Sequence, residues 1–229
     1  MAHRSQIYFR QRGIAGRSEV TPAVATPGSK IAGLILSGGA SRRMGTPKAL
    51  LQFQNETFLD RLIRLFSAVC DPVIVVVGLH AEKIRSGIER GHGVLFALNP
   101  DPDRGMLSSL QCGLALVPPD AGAAMFLPVD HPHLATSTLE TLAARFRADR
   151  APVIVPTYAG EHGHPVCIAR SLITELLALP PEAKASDVIH RHVARTVYVE
   201  VPDPAVVTDV DDPAAYAGLL AQHPSAATQ

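Results

Sequence analysis

From residue 31 onward, apolar positions fall by turns into short unbroken runs and into helical spacing. Residues 31–36 form an apolar run that ends in glycines, as a strand buried on both faces does. Residues 57–69 carry Phe58, Leu59, Leu62, Ile63, Leu65 and Phe66 at helical spacing, and Asp71-Pro72 closes that segment. Residues 73–77 are Val and Ile only, the clearest strand in the chain. The same pattern predicts helices over 81–89, 107–117 and 136–147, and strands over 94–98, 123–127 and 152–156. Beyond Pro156 it loosens into a hairpin-like stretch, YAGEHGHPV, then helices near 171–179 and 186–192 and a strand near 197–201.

Strand and helix in alternation imply an α/β fold, a doubly wound, mostly parallel sheet with helices on both faces. Ligands in such sheets lie beyond the carboxyl ends of the strands. The loops after Leu36 and after Leu127 both leave such ends. They are the first places to look for chemistry.

Composition narrows the function classes. A chain of 229 residues, 47% apolar and 18% charged, suits one α/β domain with a full core. Its formal net charge is zero, so no global field draws it to nucleic acid or membrane, and neither is expected as a partner. Any grip on an anion must be local. Cys70, Cys112 and Cys167 are widely spaced, which fits a reducing cytoplasm and gives no zinc or disulfide pattern. No apolar run approaches the ~20 residues of a membrane span. Residues 1–30 lack the apolar core of a secretory signal and are expected to be a disordered extension. A single domain is expected over 31–220 and a disordered tail over 221–229.

The loop at residues 36–48 reads LSGGASRRMGTPK. Its glycines let backbone N–H groups turn toward an anion, and Arg42, Arg43 and Lys48 supply positive charge. It is not a P-loop, because Gly45 is followed by Thr-Pro and no Ser or Thr follows Lys48. Nor does it fit the GxGxxG dinucleotide pattern.

This loop resembles the signature of the MobA-like NTP transferase family, LxAGxSxRMGxxKxLL. Leu36, Gly38, Gly39, Ser41, Arg43, Met44, Gly45, Lys48, Leu50 and Leu51 fill the frame, with Ser37 where Ala is usual. The resemblance continues in chain order to about Leu220 and implies a Rossmann-like nucleotidyltransferase fold. It implies that Arg43 and Lys48 meet the triphosphate in catalysis, with Leu36, Gly38, Gly39 and Ser41 lining the nucleotide. Asp130 in PVDHP and Asp211 in TDVDDP match the family's two metal ligands, implying Mg²⁺, with Mn²⁺ as a substitute. From the residues alone, Asp130 also suits a turn before Pro132, and Asp212 reads as the N-cap of a last helix.

GMLSSL at 105–110 is similar to the segment that contacts base and ribose in the molybdenum cofactor cytidylyltransferase branch. Ser108 and Ser109 are thus nucleotide-binding candidates, or simply caps of the helix they begin. GHPV at 163–166 resembles that branch's acceptor-side motif, which implies His164 at the acceptor. His162 with His164 and His131 with His133 form H-x-H pairs, but no Cys or carboxylate spacing completes a zinc site. The implied reaction moves CMP from CTP onto molybdopterin and releases pyrophosphate. Guanylyl transfer from GTP and non-catalytic delivery of the cofactor to a molybdoenzyme client are the alternatives.

Overall fold

The computed structural model describes residues 28–224; the parts of the expected extension and tail at 1–27 and 225–229 lie outside it. One sheet is built from β1 (Ile31–Ser37), β4 (Val73–Val77), β5 (Leu95–Leu98), β6 (Ala123–Pro128), β7 (Val153–Tyr158), β9 (Val166–Ala169) and β10 (Thr196–Glu200). The short β8 (Glu161–His162) pairs with β7, and β2 (Gln52–Phe53) with β3 (Glu56–Thr57) makes a separate hairpin. The spatial order is β10-β7-β9-β6-β1-β4-β5. Pairing is parallel except at β8 and β9, so the doubly wound, mostly parallel sheet is present.

The hairpin-like stretch expected after Pro156 is present as β7 paired antiparallel with β8. The chain then re-enters the sheet as β9, antiparallel between β6 and β7, a strand that the sequence reading did not separate out. An apolar run such as Val166–Ala169 looks the same in either direction. Only the short connection from β7 forces the antiparallel course.

Side-chain alternation along each strand feeds two cores. Ile31 and Ile35 of β1 and Val73, Val75 and Val77 of β4 face one layer, with α1 (Phe58–Ser67), α4 (Thr136–Asp149) and Leu219 of α7 (Pro213–Gln222). Ala32, Leu34 and Leu36 with Ile74 and Val76 face the other, with α3 (Met106–Leu114), α5 (Arg170–Leu177) and α6 (Ala185–Arg191). The short α2 (Ala81–Gly87) contributes Ile84 to the first layer.

Both α1 and α7 begin where a side chain satisfies a free N–H group. Thr57 Oγ1 accepts from Asp60 N at 3.0 Å at the start of α1. Asp212 caps α7 by accepting from Ala215 N at 2.9 Å, with Pro213 in the first turn, as the sequence suggested. That helix runs to Gln222, and the His223 ring packs edge-on against Phe53 at 5.5 Å. Residues 221–223 therefore continue the domain past Leu220. Among the described residues no helix is long and apolar enough to cross a membrane.

Gly113 marks the closest approach of α3 to the sheet. A Cβ there would lie 2.8 Å from both Leu34 Cδ2 and Val76 Cγ2. Gly113→Val is expected to lower stability by about 1–3 kcal/mol through overpacking. Urea denaturation checks this, and an unchanged midpoint would mean that the helix has room to move off the sheet.

Candidate active site

The chain steps outward from β1 to β4 and β5, then crosses back past β1 to β6. The loops leaving β1 and β6 therefore emerge side by side. Leu36 pairs with Pro128, and Val129 N–H donates to Leu36 O at 3.0 Å. A cleft of about 390 Å³ opens here, at the carboxyl ends of the strands.

The glycine loop is pressed onto the sheet end by contacts that leave no space for side chains. A Cβ on Gly38 would lie 2.7 Å from Ser109 Oγ, and one on Gly78, just after β4, 2.4 Å from the Gly38 carbonyl oxygen. Further along, Ser41 takes a left-handed conformation (φ 48°), and its Oγ accepts from Lys48 N at 3.1 Å. Pro47, Ala49, Leu51 and Phe53 are buried and anchor the loop's exit. Arg42 and Arg43 stay exposed while Lys48 turns inward, its side chain only 12% accessible.

Two carboxylates meet the Lys48 ammonium. Its Nζ donates to Asp130 Oδ2 at 2.9 Å and to Asp211 Oδ1 at 2.6 Å, and Arg43 Nη2 donates to Asp211 Oδ2 at 2.6 Å. Burial pulls the Lys48 pKa down, but the hydrogen bonds and charges of Asp211 and Asp130 outweigh it and leave the pKa above the ordinary lysine value. Hydrogen bonds from Lys48 and then Arg43 lower the pKa of Asp211. Both shifts favour the charged forms of Lys48 and Asp211.

Asp211 reaches this point because the segment after β10 is pinned along its course. Asp203 is a buried carboxylate. Its Oδ2 accepts from Ala135 N (2.9 Å) and Thr138 Oγ1 (2.6 Å) at the head of α4, and its Oδ1 from Ala205 N (3.1 Å). Val206 O accepts from His164 N at 2.8 Å, and Val210 N donates to Asp130 O at 2.8 Å. The last bond joins the two aspartate loops through their backbones.

Of the residues singled out from the sequence, Leu36, Gly38, Gly39, Ser41, Arg43, Lys48, Ser109, Asp130 and Asp211 all line the cleft. Ser108 and His164 do not. Ser108 is buried, with its Oγ donating to Gly105 O at 2.8 Å inside the first turn of α3. The helix is capped by neither serine; Gly105 holds that position. His164 lies behind the cleft wall, its ring 5.6 Å from that of His131 and 6.2 Å from Phe126. His162 points elsewhere, stacked on Tyr198 at 4.4 Å. Arg42, Ile84, Pro102 and Met106 are among the lining residues that were not selected from the sequence. Arg42 had a signal in the loop's charge and Met106 in the GMLSSL segment; Ile84 and Pro102 had none.

Hard oxygen ligands, a clustered cation pair and a backbone-lined loop suit a polyanion carried with a divalent cation. Asp130 and Asp211 already converge on one cationic atom, so their oxygens fit a Mg²⁺-type ion that takes one or two carboxylates plus phosphate and water. Among the described residues there is no group of three or more His, Cys, Asp or Glu that would hold a metal alone. Fold and cleft define the class of nucleotidyltransferases. The model of the MobA-like NTP transferase domain matches residues 33–197, and the chain belongs to that family.

Three relatives illustrate the likeness. The molybdenum cofactor cytidylyltransferase of Escherichia coli (strain K12) is 24% identical over 79% of this chain and 90% of that protein. A probable molybdenum cofactor guanylyltransferase of Synechococcus elongatus is 36% identical over 48% of this chain and 55% of that one. The crystal structure of Rv0371C from Mycobacterium tuberculosis, in complex with manganese, superposes with a TM-score of 0.67 at 28% identity. It covers 84% of this chain and 98% of that one.

The half-buried His164 makes a pH prediction. Burial, and then the neighbouring His131, push the His164 pKa from 6.5 down to about 4. A histidine that loses proton affinity on folding contributes its full stability above pH 6.5, and loses it as pH falls from 6.5 toward 4. The whole shift corresponds to on the order of 3 kcal/mol. His164→Gln should therefore flatten the urea-derived stability profile between pH 6.5 and 4. Parallel wild-type and variant profiles would rule out a neutral, half-buried imidazole.

Proposed function

We propose that this nucleotidyltransferase moves CMP from CTP onto the phosphate of molybdopterin. The observation that carries the reading is the meeting of Lys48, Asp130 and Asp211 beneath the glycine loop. An acceptor phosphate oxygen attacks the α-phosphorus, a new P–O bond forms, and the bond to the bridging oxygen of the β-phosphate breaks to release pyrophosphate. Phosphate is already a competent nucleophile near neutral pH, so catalysis rests on positioning and charge stabilisation without a general base.

In this reading Lys48 and Arg43 bind triphosphate oxygens and offset the charge that builds on the leaving pyrophosphate. Leu36, Gly38, Gly39 and Ser41 hold the nucleotide against the loop, and Ser109 meets its nucleoside half. Asp130 and Asp211 would hold Mg²⁺ or Mn²⁺, which when bound would supply Lewis-acid stabilisation of phosphoryl oxygens. The manganese complex of the 28% identical Rv0371C supports a divalent ion. The acceptor approaches from the open side of Asp130, and His164 supports that wall from behind through His131. Ser108 is a structural member of α3.

The choice of CTP is supported by the GMLSSL and GHPV segments and by a likeness spanning 90% of the cytidylyltransferase. The higher identity to the guanylyltransferase, over a shorter span, favours GTP as the second reading. Pyrophosphate release with molybdopterin, Mg²⁺ and each nucleoside triphosphate decides between them. Turnover with CTP is expected, and turnover with GTP alone would replace the cytidylyl assignment. A chain that binds nucleotide and cofactor but turns over neither would be a delivery protein for a molybdoenzyme.

Asp130→Asn is expected to lower kcat by roughly a hundredfold or more while the thermal midpoint stays near that of wild type. Full activity in that variant would remove Asp130 from the metal site.

A further inference from the structure

Asn99 directly follows β5 at the turn toward α3, and only 3% of it is accessible. Its backbone N–H donates to Val77 O at 2.8 Å. Its Oδ1 accepts from Asp101 N at 3.0 Å, which fixes which end of the amide is oxygen, since a backbone N–H can only donate. The Nδ2 group then faces α3 and donates to Ser108 Oγ and Ser109 Oγ, both at 2.9 Å.

The two serines receive the same donor and are left unlike. Ser108 spends its proton on Gly105 O. Ser109 Oγ finds no protein acceptor among the described residues, and its residue lines the cleft. A hydroxyl that accepts from Asn99 still has its proton to give. Ser109 lies against Gly38 at the start of the loop, and the Lys48–Asp130–Asp211 cluster lies at the loop's end.

We propose that Asn99 is a positioning residue: by donating to Ser109 Oγ it turns that hydroxyl's proton toward a hydrogen-bond acceptor on the nucleoside half of the bound triphosphate. The proposal rests on the nucleotidyltransferase reading. It also accounts for two adjacent serines of equal burial having different roles.

The test measures affinity by calorimetry for two probes with Mg²⁺: tripolyphosphate, and whichever of CTP and GTP binds wild type. Asn99→Ala, Ser109→Ala and the double variant are compared. Each single change is expected to weaken nucleotide binding about tenfold, the worth of one such hydrogen bond, and to leave tripolyphosphate binding unaltered. The double variant should be no weaker than Ser109→Ala, because Asn99 acts through that hydroxyl. If Asn99→Ala fails to fold, Asn99→Asp takes its place. It keeps the bond from Asp101 N but accepts the Ser109 proton, and should show the same selective loss. Unchanged nucleotide affinity, equal losses for both probes, or additive losses in the double variant would each overturn the proposal. Wild-type protein that binds no nucleoside triphosphate would instead sink the underlying reading, which keeps the two failures apart.

Discussion

Asp130 and Asp211 repel each other, and the fold tolerates their approach because the Lys48 ammonium lies between them. The three side chains come from the loop after β1, the loop after β6 and the segment after β10. Their meeting ties the two ends of the domain to its central strand pair. The spacing does not depend on the ammonium alone. The Val210 N to Asp130 O bond and the threefold acceptance by Asp203 hold the backbones in place. A frame fixed through backbone can keep two carboxylates together whether a lysine or a metal ion offsets their charge, and such preorganisation is what electrostatic catalysis requires.

The glycine loop meets a second constraint. Its backbone must face the cleft, so its other side must lie flat on the sheet. Gly38 and Gly78 allow that contact, because a Cβ on Gly78 would drive into the Gly38 carbonyl. The same contact brings Gly38 against Ser109, so loop, strand end and α3 are mutually registered. A substitution at any of the three moves the other two.

Much of this was legible in the sequence. The Val-rich β4 and the apolar runs of β1 and β6 announced buried parallel strands, and two strand-end loops led to Lys48 and Asp130. Asp211 was legible only through its resemblance to a known ending, because nothing in its spacing says that the chain returns from an edge strand to the sheet centre. The insertion of β9 between β6 and β7 and the surroundings of His164 were hidden for a related reason. Periodicity reports how buried a run is, and neither which way it runs nor what stands in front of it. Asn99 and Gly78 were invisible because each works through a neighbour: one orients a hydroxyl and the other leaves space for a carbonyl. Neither role needs a recurring spacing of residue types.

The cleft divides its labour along the loop. Lys48, Arg43 and the two aspartates form a charged end whose demands are the same for any triphosphate, since the phosphates are identical whatever base they carry. The other end offers the Ser109 hydroxyl and the exposed face of Met106, where, in the proposed reading, the nucleoside would lie. Changing the base preference of such a site requires altering only that second end, and it leaves the costly part, the convergence of three distant charged groups, untouched. Relatives named for cytidylyl and for guanylyl transfer are both similar to this chain, as expected if the charged end is the shared inheritance and the hydroxyl end is where they differ. On the proposed reading, base selectivity in this chain is to be sought in the Asn99–Ser109 network.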